Sequence, residues 1–201
     1  MLDYWPSIEE IKTMKIVPHA QLESKAAKSI HTAVVNLKVP TIMGDFGISA
    51  SAYGVALLFP PDTDDLDVLD KMDYYGMGFA SWGNQRAIEA GLDLMGYLLG
   101  ELKHMTSPVD LSYLSPFQKD VFSAMRSIPF GEIITYGELA DLAGHKGKGG
   151  AVAGVLRKNP CPIFIPCHRA VGSGGSLGVS SISHEWKEWL LEHEGVATKF
   201  S

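Results

Sequence analysis

Residues 115–169 read SPFQKDVFSAMRSIPFGEIITYGELADLAGHKGKGGAVAGVLRKNPCPIFIPCHR, and the organisation of the whole chain follows from how this stretch is punctuated. Ser115, Pro116 and Gln118 supply a Ser N-cap, a proline at the first helical position and a Gln three residues after the cap. Phe117, Val121, Phe122 and Met125 then fall on one helical face, and the helix should end near Ser127, ahead of Pro129. Thr135-Tyr136-Gly137-Glu138 is a second capping box, with Leu139, Leu142 and Ala143 as its buried stripe and Gly144 as its C-terminal cap. The Gly/Lys-rich turn HKGKGG leads into a third short helix over 151–158, with Val152, Val155 and Leu156 apolar and Asn159-Pro160 as the stop. A short helix, a tight turn and a short basic helix form a helix-turn-helix pattern, although two short helices joined by glycines also occur in many cores.

Outward from this stretch, the 201 residues are enough for one domain or two small ones. The formal charge of −6 would by itself argue against a nucleic-acid partner, but it is unevenly distributed. Residues 1–106 carry 8 Lys+Arg against 14 Asp+Glu, whereas residues 107–201 carry 9 of each. Within the second half, residues 144–169 hold Lys146, Lys148, Arg157, Lys158 and Arg169 and no carboxylate. We therefore divide the chain into an N-terminal α/β domain, 1–106, and a C-terminal domain, 107–201, an α+β arrangement overall. In the first half we expect an amphipathic start at 7–15, a helix near 22–33, strands around 39–43 and 54–59, and a helix over 85–102, with 106–113 as a linker. The acidic run at 62–73 reads as a solvated face rather than a metal site. No stretch approaches the roughly 18–20 apolar residues of a membrane span, so no membrane partner is expected. Only two cysteines are present, which points to a reducing compartment: the cytoplasm, or the nucleus in a eukaryote.

Those cysteines bracket a short apolar segment between prolines, read as a strand, that ends Pro166-Cys167-His168-Arg169. A thiol attacks only as thiolate, and an adjacent imidazole in cationic surroundings favours that form. An arbitrary Cys-His pair is more often a buried structural cysteine beside a surface histidine. Here the flanking prolines, the basic helix just upstream and Glu194, placed to orient the histidine, favour a nucleophile. Cys161 reads as a buried small apolar residue.

The chain resembles the O6-alkylguanine-DNA alkyltransferase family of single-turnover DNA repair proteins. The resemblance runs from about Pro116 to Gly195, through Phe117-Gln118, Ile128-Pro129-Phe130-Gly131, Thr135-Tyr136-Gly137-Glu138-Leu139-Ala140, Asn159-Pro160, Ile165-Pro166-Cys167-His168-Arg169, Lys187-Glu188-Trp189-Leu190-Leu191 and Glu194-Gly195. The first hundred residues match only loosely, where the family has a variable domain. The resemblance implies a ribonuclease H-like N-terminal domain and a winged helix-turn-helix C-terminal domain, acting as a monomer without metal or other cofactor. It implies that Cys167 accepts the methyl or alkyl group, that His168 acts as its base through a water, and that Glu194 polarises the histidine. Tyr136 would donate a proton to the departing guanine, although a tyrosine at a helix start can also be plain packing. Asn159 corresponds to the hinge between recognition helix and active-site segment, and Ser181 to a hydroxyl that contacts the base. The partner would be double-stranded DNA, approached from the minor groove with the alkylated base extruded. Gly150, Ala151 and Gly154 would allow close approach, with Arg157, Lys158 and Arg169 among the DNA-binding residues.

The sequence departs from the family pattern at three places that matter, one of them Cys161, an extra thiol near the site. Gly150 stands where an arginine usually opens the recognition helix and fills the gap left by the flipped base; Lys148 is the nearest substitute, but an ammonium cannot stack as a guanidinium does. The pocket loop has Ser180-Ser181-Ile182-Ser183 where the family has Tyr-Ser-Gly-Gly, so Ile182 should alter which alkyl groups fit. The main reading is alkyl transfer from O6-alkylguanine, with O4-alkylthymine as a further candidate substrate. The rivals are a lesion-binding module of the same fold with weak or no transfer, and a Cys-His hydrolase unconnected with DNA. Non-repairing relatives usually lack the cysteine, so the intact PCHR favours transfer.

Overall fold

The computed structural model describes residues 32–61, 63, 65–75, 77–79 and 85–197. The expected helix at 7–15 and most of that at 22–33 lie outside the described residues. Residues 32 and 33 belong instead to a strand, β1 (Thr32–Thr41).

β1 turns back through Ile42-Met43 into β2 (Gly44–Ser51), so the strand expected over 39–43 ends in a hairpin. The turn closes locally: the Thr41 hydroxyl donates to the Gly44 carbonyl at 2.8 Å and accepts from the Met43 amide at 3.1 Å. Phe46, Ile48 and Ala50 alternate into the core along β2, a strand the sequence reading missed because glycines and serines dilute it. β3 (Gly54–Phe59) follows as expected and is buried throughout. The acidic run contains helix α1 (Asp65–Tyr74), with Met72 buried and Asp67 and Asp70 facing solvent. A short β4 (Met77–Phe79) pairs parallel with β1 and completes a sheet of order β3-β2-β1-β4. Helix α2 (Gln85–Leu98) crosses this sheet and stops four residues before its expected end, where Gly100 closes it and the Glu101 amide returns to the Gly96 carbonyl at 2.8 Å.

Residues 106–113 are not a linker. Val109 bridges Val55, the Val55 amide donates to the Pro108 carbonyl at 2.9 Å, and the Asp110 amide donates to the Val55 carbonyl at 2.8 Å. The segment therefore extends the β3 edge, and Asp93 of α2 holds its start by accepting from the Thr106 and Ser107 amides, both at 2.7 Å. Gly54 makes the seam possible. Its φ is +148°, and a Cβ there would lie 2.3 Å from the Pro108 carbonyl oxygen.

Both capping boxes form. Helix α3 (Pro116–Arg126) starts on Ser115 with Gln118 reaching back, and α4 (Tyr136–Leu142) starts on Thr135 with Glu138 reaching back. Gly144 sits one residue beyond the α4 cap, and the His145 amide donates to the Ala140 carbonyl at 2.8 Å. Helix α5 (Gly149–Arg157) begins two residues earlier than expected and packs so closely that a Cβ at Gly149 would be 3.3 Å from Gly137 Cα. Ahead of α4, β5 (Ile134–Thr135) pairs parallel with β6 (Ala170–Val171), bringing the start of α4 beside the PCHR segment. Helix α6 (His184–His193) is the last helix among the described residues, with Glu194 as its C-terminal cap.

One buried apolar cluster runs through both halves, from Ile48, Leu58 and Leu94 to Phe122, Leu156 and Ile165. The two halves are also joined by hydrogen bonds: the Leu58 amide donates to the Pro160 carbonyl at 2.9 Å, and the buried Cys161 thiol to the Ala56 carbonyl at 3.0 Å. Gly54→Ala should therefore lower the unfolding free energy by about 2 kcal/mol or more, through strain and loss of the seam. Urea unfolding checks this, and a change below about 0.5 kcal/mol would contradict it.

Candidate active site

The segment between the two cysteines is a pair of tight turns rather than the expected strand. Pro162 and Pro166 have no N–H to donate to a ladder, and Ile163 adopts a left-handed φ of +72°. The Ile165 amide returns to the Cys161 carbonyl at 2.8 Å and the Cys167 amide to the Ile165 carbonyl at 2.7 Å. Asn159 ties the base of these turns, donating to the Ile165 carbonyl at 2.8 Å and accepting from the Cys161 amide at 3.0 Å. Cys167–Arg169 then form one turn of 3₁₀ helix.

This turn directs three consecutive side chains to different tasks. The Cys167 sulfur lies 3.3 Å from the Ser180 hydroxyl and 3.5 Å from that of Ser181, on the loop where Ile182 is half-buried. His168 is fully buried, and its Nε2 is 2.8 Å from Glu194 Oε1. Its Nδ1 has no hydrogen-bond partner in the protein. With Nε2–H committed to the carboxylate, Nδ1 carries the lone pair and can accept a proton. Arg169 turns inward: Nη2 donates to Glu194 Oε1 at 2.8 Å, Nε to Oε2 at 3.0 Å, and Nη1 to the Ile128 carbonyl at 2.6 Å. It is 7% exposed, unlike the other four cations of residues 144–169, which lie at the surface.

Burial works against a charged Glu194. Hydrogen bonds from His168 and Arg169, together with the Arg169 charge, outweigh it and hold the carboxyl well below the usual carboxylate range. Burial lowers the pKa of His168 despite the pull of Glu194, with Arg169 and Lys187 adding to the lowering. Tyr136 donates to the Val179 carbonyl at 2.7 Å, and partial burial raises its pKa, which keeps the phenol protonated.

Two further groups belong to the site. Lys187 is fully buried and donates to the Ala170 carbonyl at 2.6 Å; desolvation lowers its pKa to about 8. Tyr97, on α2, donates to Glu194 Oε1 at 2.6 Å. Lys187 stood inside a quoted motif without a role, and Tyr97 lies in the half that carries no motif. No local signal marks a tyrosine whose partner is 97 positions away.

The basic stretch divides accordingly. Lys148, Gly150, Ala151, Arg157 and Lys158 are exposed along and beside α5, with the Lys148 ammonium 5.8 Å from the Phe117 ring centre. A Cβ at Gly150 would meet nothing within 4 Å. Among the described residues no cluster of three His, Cys, Asp or Glu could hold a metal ion, and no helix is long and apolar enough to cross a membrane.

Residues 116–196 match the family model described as 6-O-methylguanine DNA methyltransferase, DNA binding domain. Over these residues the chain is similar to the 6-O-methylguanine DNA methyltransferase family. The human methylated-DNA–protein-cysteine methyltransferase is 44% identical over 94 residues, covering 44% of this chain and 45% of the relative. The Salmonella typhimurium protein of the same name is 38% identical over 102 residues, 51% of this chain and 60% of the relative. The matches thus span about half the length of these curated relatives. Beyond residues 116–196 the likeness continues in structure. The O6-methylguanine methyltransferase of Mycobacterium tuberculosis superposes with a TM-score of 0.65 at 27% identity, covering 83% of this chain and 96% of that one.

The depressed pKa values carry a sign for stability. His168 and Glu194 both bind protons more weakly folded than unfolded, so stability is greatest above their unfolded values and is lost as pH falls. Urea unfolding should show stability declining below about pH 6.5 and further below about pH 4.5. A flat profile from pH 7 to pH 4 would contradict a buried, neutral His168.

Proposed function

We propose that this protein repairs alkylated DNA by direct reversal, moving a methyl or small alkyl group from O6 of guanine to Cys167 in a single turnover. The observation that carries the reading is the Cys167 thiol beside the Ser180 and Ser181 hydroxyls, followed in sequence by a histidine whose Nε2 is held by a carboxylate and whose Nδ1 is free. The thiol proton passes through a bridging water to His168 Nδ1. The thiolate attacks the alkyl carbon; the S–C bond forms as the C–O6 bond breaks. Tyr136 supplies a proton to the departing base, and the proton on His168 makes good the loss through solvent. The net exchange is thiol hydrogen for alkyl group, with no external cofactor consumed. Because the thioether does not reverse, each molecule acts once.

The substrate lies within a duplex, so the nucleotide must leave the stack. A relative from M. tuberculosis at 27% identity and a TM-score of 0.63 has been solved in complex with DNA, which supports a DNA partner here. The exposed Arg157 and Lys158 at the end of α5 suit phosphate contact, and the small Gly150, Ala151 and Gly154 suit close approach to the minor groove. The sheet of three antiparallel strands with a fourth parallel one supports a ribonuclease H-like N-terminal domain, and α3–α5 with β5 and β6 support a winged helix-turn-helix over 107–201.

Mixing the protein with a duplex containing O6-methylguanine, followed by tryptic digestion, tests the reading. The peptide over 159–169 contains both cysteines, so fragmentation must place the added methyl on Cys167. Binding without a methyl gain at stoichiometric protein would instead favour the lesion-binding alternative. Gly150→Arg places a guanidinium in open space at the recognition helix. It should speed transfer from duplex DNA about tenfold, the size of one stacking contact, with little effect on transfer from the free alkylated base. Equal effects on both substrates in single-turnover assays would refute a role for residue 150 in extrusion.

A further inference from the structure

The Cys-His-Glu arrangement has a fourth polar member from outside the methyltransferase domain. Tyr97 is 1% exposed, and its hydroxyl donates to Glu194 Oε1 at 2.6 Å while standing 3.4 Å from His168 Nε2. Its ring meets those of Phe130 and His193 edge-on at 6.1 and 5.3 Å, and its carbonyl accepts from His193 Nε2 at 2.7 Å. The residue is thus held at its backbone, its ring and its hydroxyl. A phenylalanine would fill the same apolar volume; the hydroxyl has a separate purpose.

That purpose follows from how the carboxylate is shared. Glu194 Oε2 receives Arg169 Nε and the Gly131 amide at 3.0 Å each. Oε1, the oxygen facing His168, also receives Tyr97 and Arg169 Nη2. Each donor to Oε1 takes up negative charge that would otherwise stabilise an imidazolium. We propose that Tyr97 is a positioning residue of the transfer reaction, whose hydroxyl holds Glu194 against His168 and draws off enough of its charge to keep the imidazole unprotonated, with Nδ1 open to the thiol proton. The inference rests on the transfer reading above.

The charged and titratable groups around His168 are Glu194 at the end of α6, Lys187 within α6, Arg169 on its own turn and Tyr97 on α2. Arg169 and Lys187 disfavour its protonation and Glu194 favours it. Tyr97 is a permanently neutral donor, because burial and the Glu194 charge push its phenol above the ordinary tyrosine range. Removing the hydroxyl leaves more charge on Oε1 and must raise the pKa of His168.

Tyr97→Phe tests this. Nitrogen-resolved NMR of the His168 ring, recorded without DNA, should show it titrating at a higher pH than in the wild type. Single-turnover transfer should show its acidic limb displaced upward by about one pH unit, which is about tenfold slower transfer on that limb, with a smaller loss on the plateau. If the variant is slower equally at every pH and the ring titration is unmoved, Tyr97 only packs and the proposal is overturned. Should Tyr97→Phe fail to fold, 3-fluorotyrosine at position 97 keeps the shape and makes a stronger donor; the His168 titration must then move down, and an unmoved titration overturns the proposal. Absence of methyl on wild-type Cys167 would sink the transfer reading alone, since the ring titration is read without substrate.

Discussion

The Glu194 carboxylate is the constraint on which the rest of the structure depends. It is 5% exposed and receives hydrogen bonds from a histidine and an arginine on one 3₁₀ turn, a backbone amide at Gly131 and a tyrosine from the other half of the chain. A buried carboxylate is expensive unless its lone pairs are filled and its charge is matched, and both conditions are met. The same contacts set the chemistry. Arg169 cancels the charge, His168 is held by Nε2 while Nδ1 has no partner in the protein, and Tyr97 and Gly131 fix the rotamer. Burial stabilises neutral His168 while the paired arginine stabilises ionised Glu194, so one small volume holds a neutral imidazole beside a carboxylate.

Around this centre the fold separates two surfaces. The active-site turn is secured from below by Asn159 and by the docking of Pro160 and Cys161 on β3. The exposed flank of α5 carries Arg157 and Lys158 without burying them. The local +5 of residues 144–169 therefore divides into a buried cation that serves the carboxylate and four surface cations available to a polyanion. The acidic first half supplies Tyr97 and the β3 edge to the same core.

Much of the second half was legible in the sequence because its signals are local. Ser115/Gln118 and Thr135/Glu138 each announce a helix within four residues, and Pro160 announces a stop. The PCHR tetrapeptide and Glu194 could be paired by resemblance. Other features depend on distant partners. Arg169 reads as a surface cation until Glu194 and the Ile128 carbonyl fold against it. Residues 106–113 read as a linker because the β3 edge they extend lies some fifty residues away. The apolar run between the cysteines has strand composition, but its two prolines cannot donate to a ladder and the chain turns instead. Tyr97 is one apolar-face residue among several on α2, distinguished only by where its hydroxyl ends.

The central claim is that the nucleophile works because Glu194 holds His168 by Nε2 and supports the proton that its Nδ1 takes up. Glu194→Gln keeps the shape and the acceptor for Arg169 but removes the charge. The most direct measurement is the single-turnover rate of methyl transfer to Cys167 from an O6-methylguanine duplex, compared between this variant and the wild type at pH 7.5 with the fold verified. The account predicts a rate at least about a hundredfold lower, the usual size of a lost general-base contribution. A rate within about twofold of the wild type in a folded variant would contradict it.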